Sequence, residues 1–236
     1  MPPWDLEVTK RAIKRLHGRD QLELVAPCMR SLSDRQFYAR FHFNRARSGL
    51  ARYVKTLDPN DPLPTIFGQN DQGWQRFNVV IRKLAADITA CIQSIHTLPD
   101  ILASTVYYSM ALNKTHAPRD GGYVNHAFVV KALASVPHCE AVRAPLREMT
   151  SSPGYKHLAA LSNQSKHYSI VFPALNTDLT GERKEQHMLV LPAFRCKSGP
   201  YPQVFVSEFL PPVYEHATRS ILSTGHALLA RLHSAA

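Results

Sequence analysis

Residues 71–97 repeat apolar side chains at steps of three and four, the spacing of one face of an α-helix. The repeating residues are Trp74, Phe77, Ile81, Leu84, Ile88, Ile92 and Ile95. Asp71 precedes them and suits the N-cap of such a helix. At about 1.5 Å per residue the helix would be roughly 40 Å long. A helix of that length usually forms the spine of a helical bundle, so the sequence predicts a mainly α fold.

Three further long helices are expected around this one. Ser33 followed by Gln36 is a capping-box pattern, and it predicts a helix start after Pro27 has interrupted the preceding chain. The stretch after Pro99 continues the apolar spacing, either as a kinked extension or as an antiparallel partner, and the short connection favours the kink. Ser152 and Pro153 suit an N-cap and a first helical turn. The predicted long helices are 33–57, 71–113, 153–167 and 213–233; shorter ones are expected at 4–17, 123–135 and 138–149, with loops at 58–64 and 115–122.

After His167 the apolar period changes from helical to strand-like. Short runs rich in Val, Ile, Phe and Leu occur at 168–174, 187–194 and 202–209, separated by turn-forming residues. Pro211 and Pro212 are expected to end the last strand. We therefore predict a helical bundle with a small antiparallel β-meander, at 168–209, inserted before the C-terminal helix. The absence of a repeat or a linker favours a single domain over 1–236.

Composition narrows the functional classes. No apolar run approaches the roughly 18 to 20 residues that span a bilayer, and no secretory signal is evident, so we expect a cytoplasmic protein with no membrane partner. Cys28, Cys91, Cys139 and Cys196 are far apart and are expected to be reduced and mostly buried. No P-loop, dinucleotide fingerprint or metal-ligand spacing occurs, so no cofactor or metal is predicted.

The charge of the chain is uneven. The net charge is +10, and residues 1–55 hold twelve Lys and Arg against five acids, a local excess of +7. Arg40, Arg45, Arg47 and Arg52 fall within one predicted helix and are the candidate nucleic-acid contacts. Such an excess favours a polyanion such as RNA or DNA as the partner. It is equally compatible with docking on an acidic protein, or with a basic face that only keeps the chain soluble.

A polar cluster ends the predicted helix 153–167. Asn163 lies three and four residues before Lys166 and His167, so the three side chains share a helix face. Amide, ammonium and imidazole groups together can bind an anion, and His167 could act as a general acid or base. The alternative is structural, because Lys and His near a helix C-terminus interact favourably with the free carbonyls and the helix dipole.

The same stretch resembles a known pattern. Leu158, Leu161, Asn163, Lys166 and His167 match L-x-x-L-x-N-x-x-K-H followed by a strand, found in a widespread group of uncharacterised bacterial helical proteins. That group is similar to the HEPN superfamily of helical bundles. The upstream segment 101–112 keeps the apolar spacing of the group but lacks its Arg and Asp. The resemblance implies an RNA- or DNA-associated protein in host defence or a toxin system.

RNases of that superfamily use an Arg and a His on one helix with four to six residues between them. Such spacings occur at Arg11 and His17, Arg35 and His42, Arg119 and His126, and Arg219 and His226. Arg35 and His42 are the best placed, because they lie in the basic region on a predicted helix. They and His167 are the candidate catalytic residues. The alternative to a nucleic-acid protein is a non-enzymatic assembly subunit that docks through its basic N-terminal half, and a hydrolase using His167 is a third hypothesis.

Overall fold

A computed structural model of the protein describes residues 1–57, 71–118 and 122–235. The fold is mainly α, with a small antiparallel sheet before the last helix, as the sequence predicts. The helices are α1 (Leu6–His17), α2 (Arg19–Val54), α3 (Asp71–Ser109), α4 (His126–Leu133), α5 (Glu140–Glu148), α6 (Pro153–His167) and α7 (Val206–Ser234). None of the helices in these ranges has the length and hydropathy needed to cross a membrane.

The chain divides into two compact units. Unit 1 comprises Met1–Phe37, Ile95–Lys156 and Tyr214–Ala236. Unit 2 comprises Tyr38–Ser94 and His157–Val213. Helices α2, α3, α6 and α7 each contribute residues to both units. The prediction of a single domain over 1–236 stays a prediction.

Several predicted helices are confirmed. Helix α6 begins at Pro153 and ends at His167, and its predicted cap is present, since the backbone N–H of Tyr155 donates to Ser152 Oγ at 3.1 Å. The short helices α1, α4 and α5 lie inside the predicted ranges. The predicted loop at 58–64 lies outside the described residues.

The predicted helix start at Ser33 is wrong. Helix α2 begins at Arg19 and continues through Pro27, and Ser33 Oγ donates to the carbonyl of Met29 at 3.4 Å instead of capping. A proline inside a helix removes one backbone hydrogen bond. The side chains of Val25, Met29 and Leu32 are buried around this position. Burial of that stripe outweighs the local signals, because tertiary packing supplies most of a helix's stability.

The alternative of an antiparallel helix pair at Pro99 is also wrong. Helix α3 runs without a break from Asp71 to Ser109, with Pro99 inside it. Leu98 and Leu102 on either side of the proline are fully buried. The helical register is therefore anchored on both sides of the missing backbone donor.

The sheet is smaller than predicted and begins later. Strands β1 (Ala174–Thr177), β2 (His187–Leu191) and β5 (Val204–Phe205) form an antiparallel sheet in the order β1-β2-β5. The hairpin β3 (Phe194–Cys196) and β4 (Gly199–Tyr201) is separate and was not predicted. The middle strand prediction is confirmed, with Met188–Leu191 buried, whereas only Val204–Phe205 of the predicted strand 202–209 is strand.

The flanking strand predictions fail for two different reasons. Residues 168–173 form no strand, and the alternating Tyr168, Ile170 and Phe172 are exposed. At the other end, helix α7 begins at Val206 and continues through Pro211 and Pro212. The buried residues Val206, Leu210 and Val213 follow steps of four and three, so the helical period was present beneath the strand-like composition.

Candidate functional site

Two helices of unit 2 pack closely against each other. Arg45 Nε lies 3.1 Å from Asp87 Oδ2, and the ring centroids of Tyr53 and Phe77 are 5.8 Å apart. Between them, a Cβ atom at Gly49 would lie 2.7 Å from Leu84 Cδ2. Since the α3 partner falls in number as the α2 residue rises, the two segments run antiparallel. Gly49, which weakens the helix in propensity, permits this close approach.

A cleft of about 1060 Å³ lies between these two segments. Arg45 and Arg52 line it from α2, and Arg76 and Lys83 line it from α3; all four residues are exposed. Asp87 is the single acidic residue among the described residues that line it. The described lining of this cleft, which is called the basic cleft below, therefore carries an excess of three positive charges. A concave site of one charge sign concentrates its field on a ligand of the opposite sign.

Asp87 anchors one end of the basic cleft. Its residue is only 6% exposed, and both carboxylate oxygens have partners. Oδ1 lies 2.8 Å from His42 Nδ1, and Oδ2 accepts from Arg45 Nε at 3.1 Å. The guanidinium of Arg45 lies 5.6 Å from the centre of the Phe41 ring, which meets His42 edge-on. These contacts fix the positions of one imidazole and one guanidinium.

The pairing with Asp87 also defines what His42 could do. When Nδ1 carries the hydrogen, Asp87 accepts it, and Nε2 is then the unprotonated nitrogen. A carboxylate that holds a histidine in this tautomer prepares Nε2 to accept a proton. The side chain of His42 is 27% exposed, so it is partly open to solvent.

The structure places only half of the predicted nucleic-acid residues in the cleft. Arg45 and Arg52 line it, whereas Arg40 and Arg47 are exposed and are not among its lining residues. Arg76, Lys83 and Asp87 were not predicted from the sequence. Their helical spacing could have indicated them, because both helices place lining residues at steps of four, three and four. These are Arg45, Gly49, Arg52 and Thr56 on α2, and Arg76, Val80, Lys83 and Asp87 on α3.

The two residues of the predicted catalytic pair, Arg35 and His42, belong to different units. Arg35 belongs to unit 1 and is partly buried, whereas His42 belongs to unit 2 and is paired with Asp87. Of the other pairs at this spacing, Arg119 lies outside the described residues. Catalytic roles for Arg35, His42 and His167 stay predictions.

The structure places the Asn163–Lys166–His167 cluster on an exposed helix end. All three residues are exposed in the last two turns of α6. The backbone N–H groups of Tyr168 and Ser169 both donate to the carbonyl of Gln164, which closes the helix. By contrast, the leucines of the same sequence pattern, Leu158 and Leu161, are buried core residues. An anion-binding role for the polar cluster stays a prediction.

A buried histidine lies at the other end of the same helix. His157 is 7% exposed, and its ring centroid is 4.9 Å from those of Tyr201 and Phe209 and 5.7 Å from that of Phe194. Its Nε2 has no hydrogen-bond partner within the ranges given above. Burial lowers the pKa of His157 below its usual range. The unpredicted hairpin β3-β4 supplies Phe194 and Tyr201 to this aromatic cluster.

A second, smaller cavity lies in unit 1 where α1 meets α2. It has a volume of about 330 Å³, and its lining includes His17, Gln21 and Lys114. Gln21 Nε2 donates to the carbonyl of Tyr108 at 2.6 Å and to Asn113 Oδ1 at 2.8 Å. Burial and, to a smaller extent, the nearby Lys114 lower the pKa of His17. The amide of Gln21 is thus already used in joining α2 to the end of α3.

Comparison of the chain with protein-family models, with curated proteins and with solved structures finds no match. The geometry of the basic cleft and the sequence are therefore the grounds on which a function is proposed.

Proposed function

We propose that the protein binds RNA or DNA through the basic cleft. The observation that carries the proposal is the gathering of four exposed cationic side chains, from two separate helices, around one concave surface. Guanidinium and ammonium groups neutralise phosphates and release the ions condensed on a nucleic acid, which supplies most of its non-specific affinity. Asp87 offsets only one of the four charges and is itself engaged with His42 and Arg45.

The arrangement of the cleft also favours this function over a basic face that only solvates the protein. The cleft presents one continuous surface, which is lined by Arg52, Arg76 and Lys83. Its length is about 16 Å, which is the rise of α3 from Arg76 to Asp87 at about 1.5 Å per residue. Arg45 is held by its Nε and its side chain is 58% exposed, so the terminal nitrogens of its guanidinium stay available to a phosphate. Charged side chains that only keep a protein soluble do not need to line a common surface.

A fuller form of the proposal comes from the sequence pattern at the end of α6. Leu158, Leu161, Asn163, Lys166 and His167 resemble bacterial helical proteins similar to the HEPN superfamily. We extend the proposal to a cytoplasmic, RNA- or DNA-associated bacterial protein with a role in defence or a toxin system.

The salt dependence of binding tests the core of the proposal. The logarithm of the affinity for a generic RNA should fall linearly with the logarithm of salt concentration, by about 0.7 to 0.9 for each phosphate contact. The double variant Arg52→Gln/Lys83→Gln should lower the magnitude of that slope by about 1.4 to 1.8. Fluorescence anisotropy of a labelled RNA at several salt concentrations measures both values.

The matched control removes the same charge elsewhere. Arg40→Gln/Arg47→Gln also deletes two exposed arginines of α2, but neither lines the cleft. We expect it to leave the slope nearly unchanged. Equal effects of the two double variants would assign binding to the overall charge. An affinity for RNA that ignores salt would contradict the proposal and favour docking on a protein partner.

A further inference from the structure

We propose that the basic cleft takes single-stranded nucleic acid, with one base stacked on Trp74. This inference rests on the proposed function and adds the substrate class. It is carried by an exposed aromatic side chain beside the cationic surface, an association that phosphate binding alone does not require.

Trp74 is unusually exposed for its size. Its relative solvent-accessible surface is 52%, and its indole stacks on Phe77 with ring centroids 5.6 Å apart and planes at 30°. Phe77 in turn packs against Tyr53, which lines the cleft. The indole is therefore supported from one side by two further rings of unit 2. More than half of its surface remains open to a partner.

The position of Trp74 connects it to the cationic surface. Gly73 and Gln75, its neighbours in the chain, both line the basic cleft, as does Arg76. Trp74 is not itself among the described residues that line the cleft, and side chains two residues apart on a helix point to different faces, so its link to the cleft is the ring contact through Phe77 to Tyr53. A single strand can use both the ring and the cations, because its bases offer flat π surfaces while its phosphates offer negative charge.

Stacking on a protein side chain requires a base with a free face. Bases inside a duplex are stacked on their neighbours, whereas those of a single strand can be splayed onto aromatic residues. Proteins that bind single strands without sequence preference combine a positive groove with such aromatic platforms. An acidic protein segment would satisfy the charges of the cleft but carries an aromatic ring only at some positions, whereas every nucleotide of a single strand offers one, so the aromatic group favours the nucleic acid.

Tryptophan fluorescence provides a direct test. The chain has two tryptophans, and Trp4 is 8% exposed, with its Nε1 donating to Thr9 Oγ1 at 2.8 Å in unit 1. An oligouridylate of about 12 nucleotides, within the site sizes usual for single-strand binders, should quench the emission of Trp74. Inorganic polyphosphate should compete for the cleft through its charge but leave the emission almost unchanged, since it has no bases.

Affinity measurements on variants complete the test. Trp74→Ala should weaken binding of the oligouridylate about ten-fold and leave binding of polyphosphate unchanged. Trp74→Phe should restore most of the loss, because a phenyl ring can still stack. Tyr168→Ala is the matched control, since it removes an 86% exposed aromatic residue of unit 2 that follows α6 and belongs to neither of the helices that line the cleft. The control should bind both ligands as the wild type does.

The possible failures separate this inference from the proposed function. If both ligands bind with the expected salt dependence but Trp74→Ala binds the oligouridylate normally, stacking is wrong and charge-based binding stands. If Trp74→Ala weakens both ligands equally, Trp74 only supports the cleft and the inference is overturned. If neither ligand binds even at low salt, the proposed function fails and the inference falls with it.

Discussion

The basic cleft and the end of helix α6 are two polar regions of unit 2 that are built in opposite ways. The cleft collects cations from α2 and α3 around Asp87, a carboxylate that is 6% exposed and bonded through both oxygens. The end of α6 presents Asn163, Lys166 and His167, which are close in sequence and fully on the surface. At the end of α6, closeness in sequence is enough to bring the polar groups together. A fixed arrangement additionally needs a buried group that holds them in place.

Of the polar residues in these two regions, Asp87 should contribute most to the free energy of unfolding. Asp87→Ala removes the partner of both His42 and Arg45, and hydrogen bonds to charged groups contribute about 1.5–3 kcal/mol each. Because Arg45 is more than half exposed, we expect a total loss of about 2–3 kcal/mol in the free energy of unfolding. Urea denaturation measures it.

An exposed carboxylate is the control for this substitution. Asp34→Ala removes an acid from the surface of α2, and we expect a change within about 0.5 kcal/mol. If Asp87→Ala is as stable as Asp34→Ala, the carboxylate anchors nothing, and the distinction between the two regions disappears.

An intermediate effect, on the pH dependence of stability, should come from the buried histidine of α6. Burial among aromatic rings lowers the folded-state pKa of His157, so the unfolded chain binds the proton more readily. The associated stability is complete above about pH 6.5, the ordinary histidine pKa, and is lost as the pH falls towards and through the lowered folded pKa. Unfolding free energies measured between pH 8 and 5 should therefore decrease with acidification.

Variants assign this pH dependence to one end of the helix. His157→Phe should flatten the pH profile, because it keeps a ring in the aromatic cluster and removes the titrating group. Some slope should persist, since burial also lowers the pKa of His17 and His187. An unchanged slope in His157→Phe would contradict the assignment to the buried end of the helix.

The same contrast explains what the sequence could predict. The mainly α class, the boundaries of α6 and the cap at Ser152 follow from local signals that tertiary packing does not oppose. The errors at Ser33 and Pro211 arise where a buried stripe carries a helix across residues that usually stop it. In the cleft, the cations of α2 were expected from their charge. Asp87 was not, because its importance depends on which residues of another helix face it.

The smallest effect should come from His167. Its side chain is exposed in the last turn of α6, where a cationic side chain interacts with the helix dipole by about 0.3–1 kcal/mol. His167→Ala should therefore lower the free energy of unfolding by no more than that, whereas Leu158→Ala on the same helix should lower it by about 2–5 kcal/mol, since Leu158 is fully buried. Urea denaturation of both variants provides the comparison. A loss above about 1.5 kcal/mol in His167→Ala would exceed any surface dipole effect. The polar residues of the pattern would then hold the helix end in place as its leucines hold the core, and a binding role for them would lose its main support.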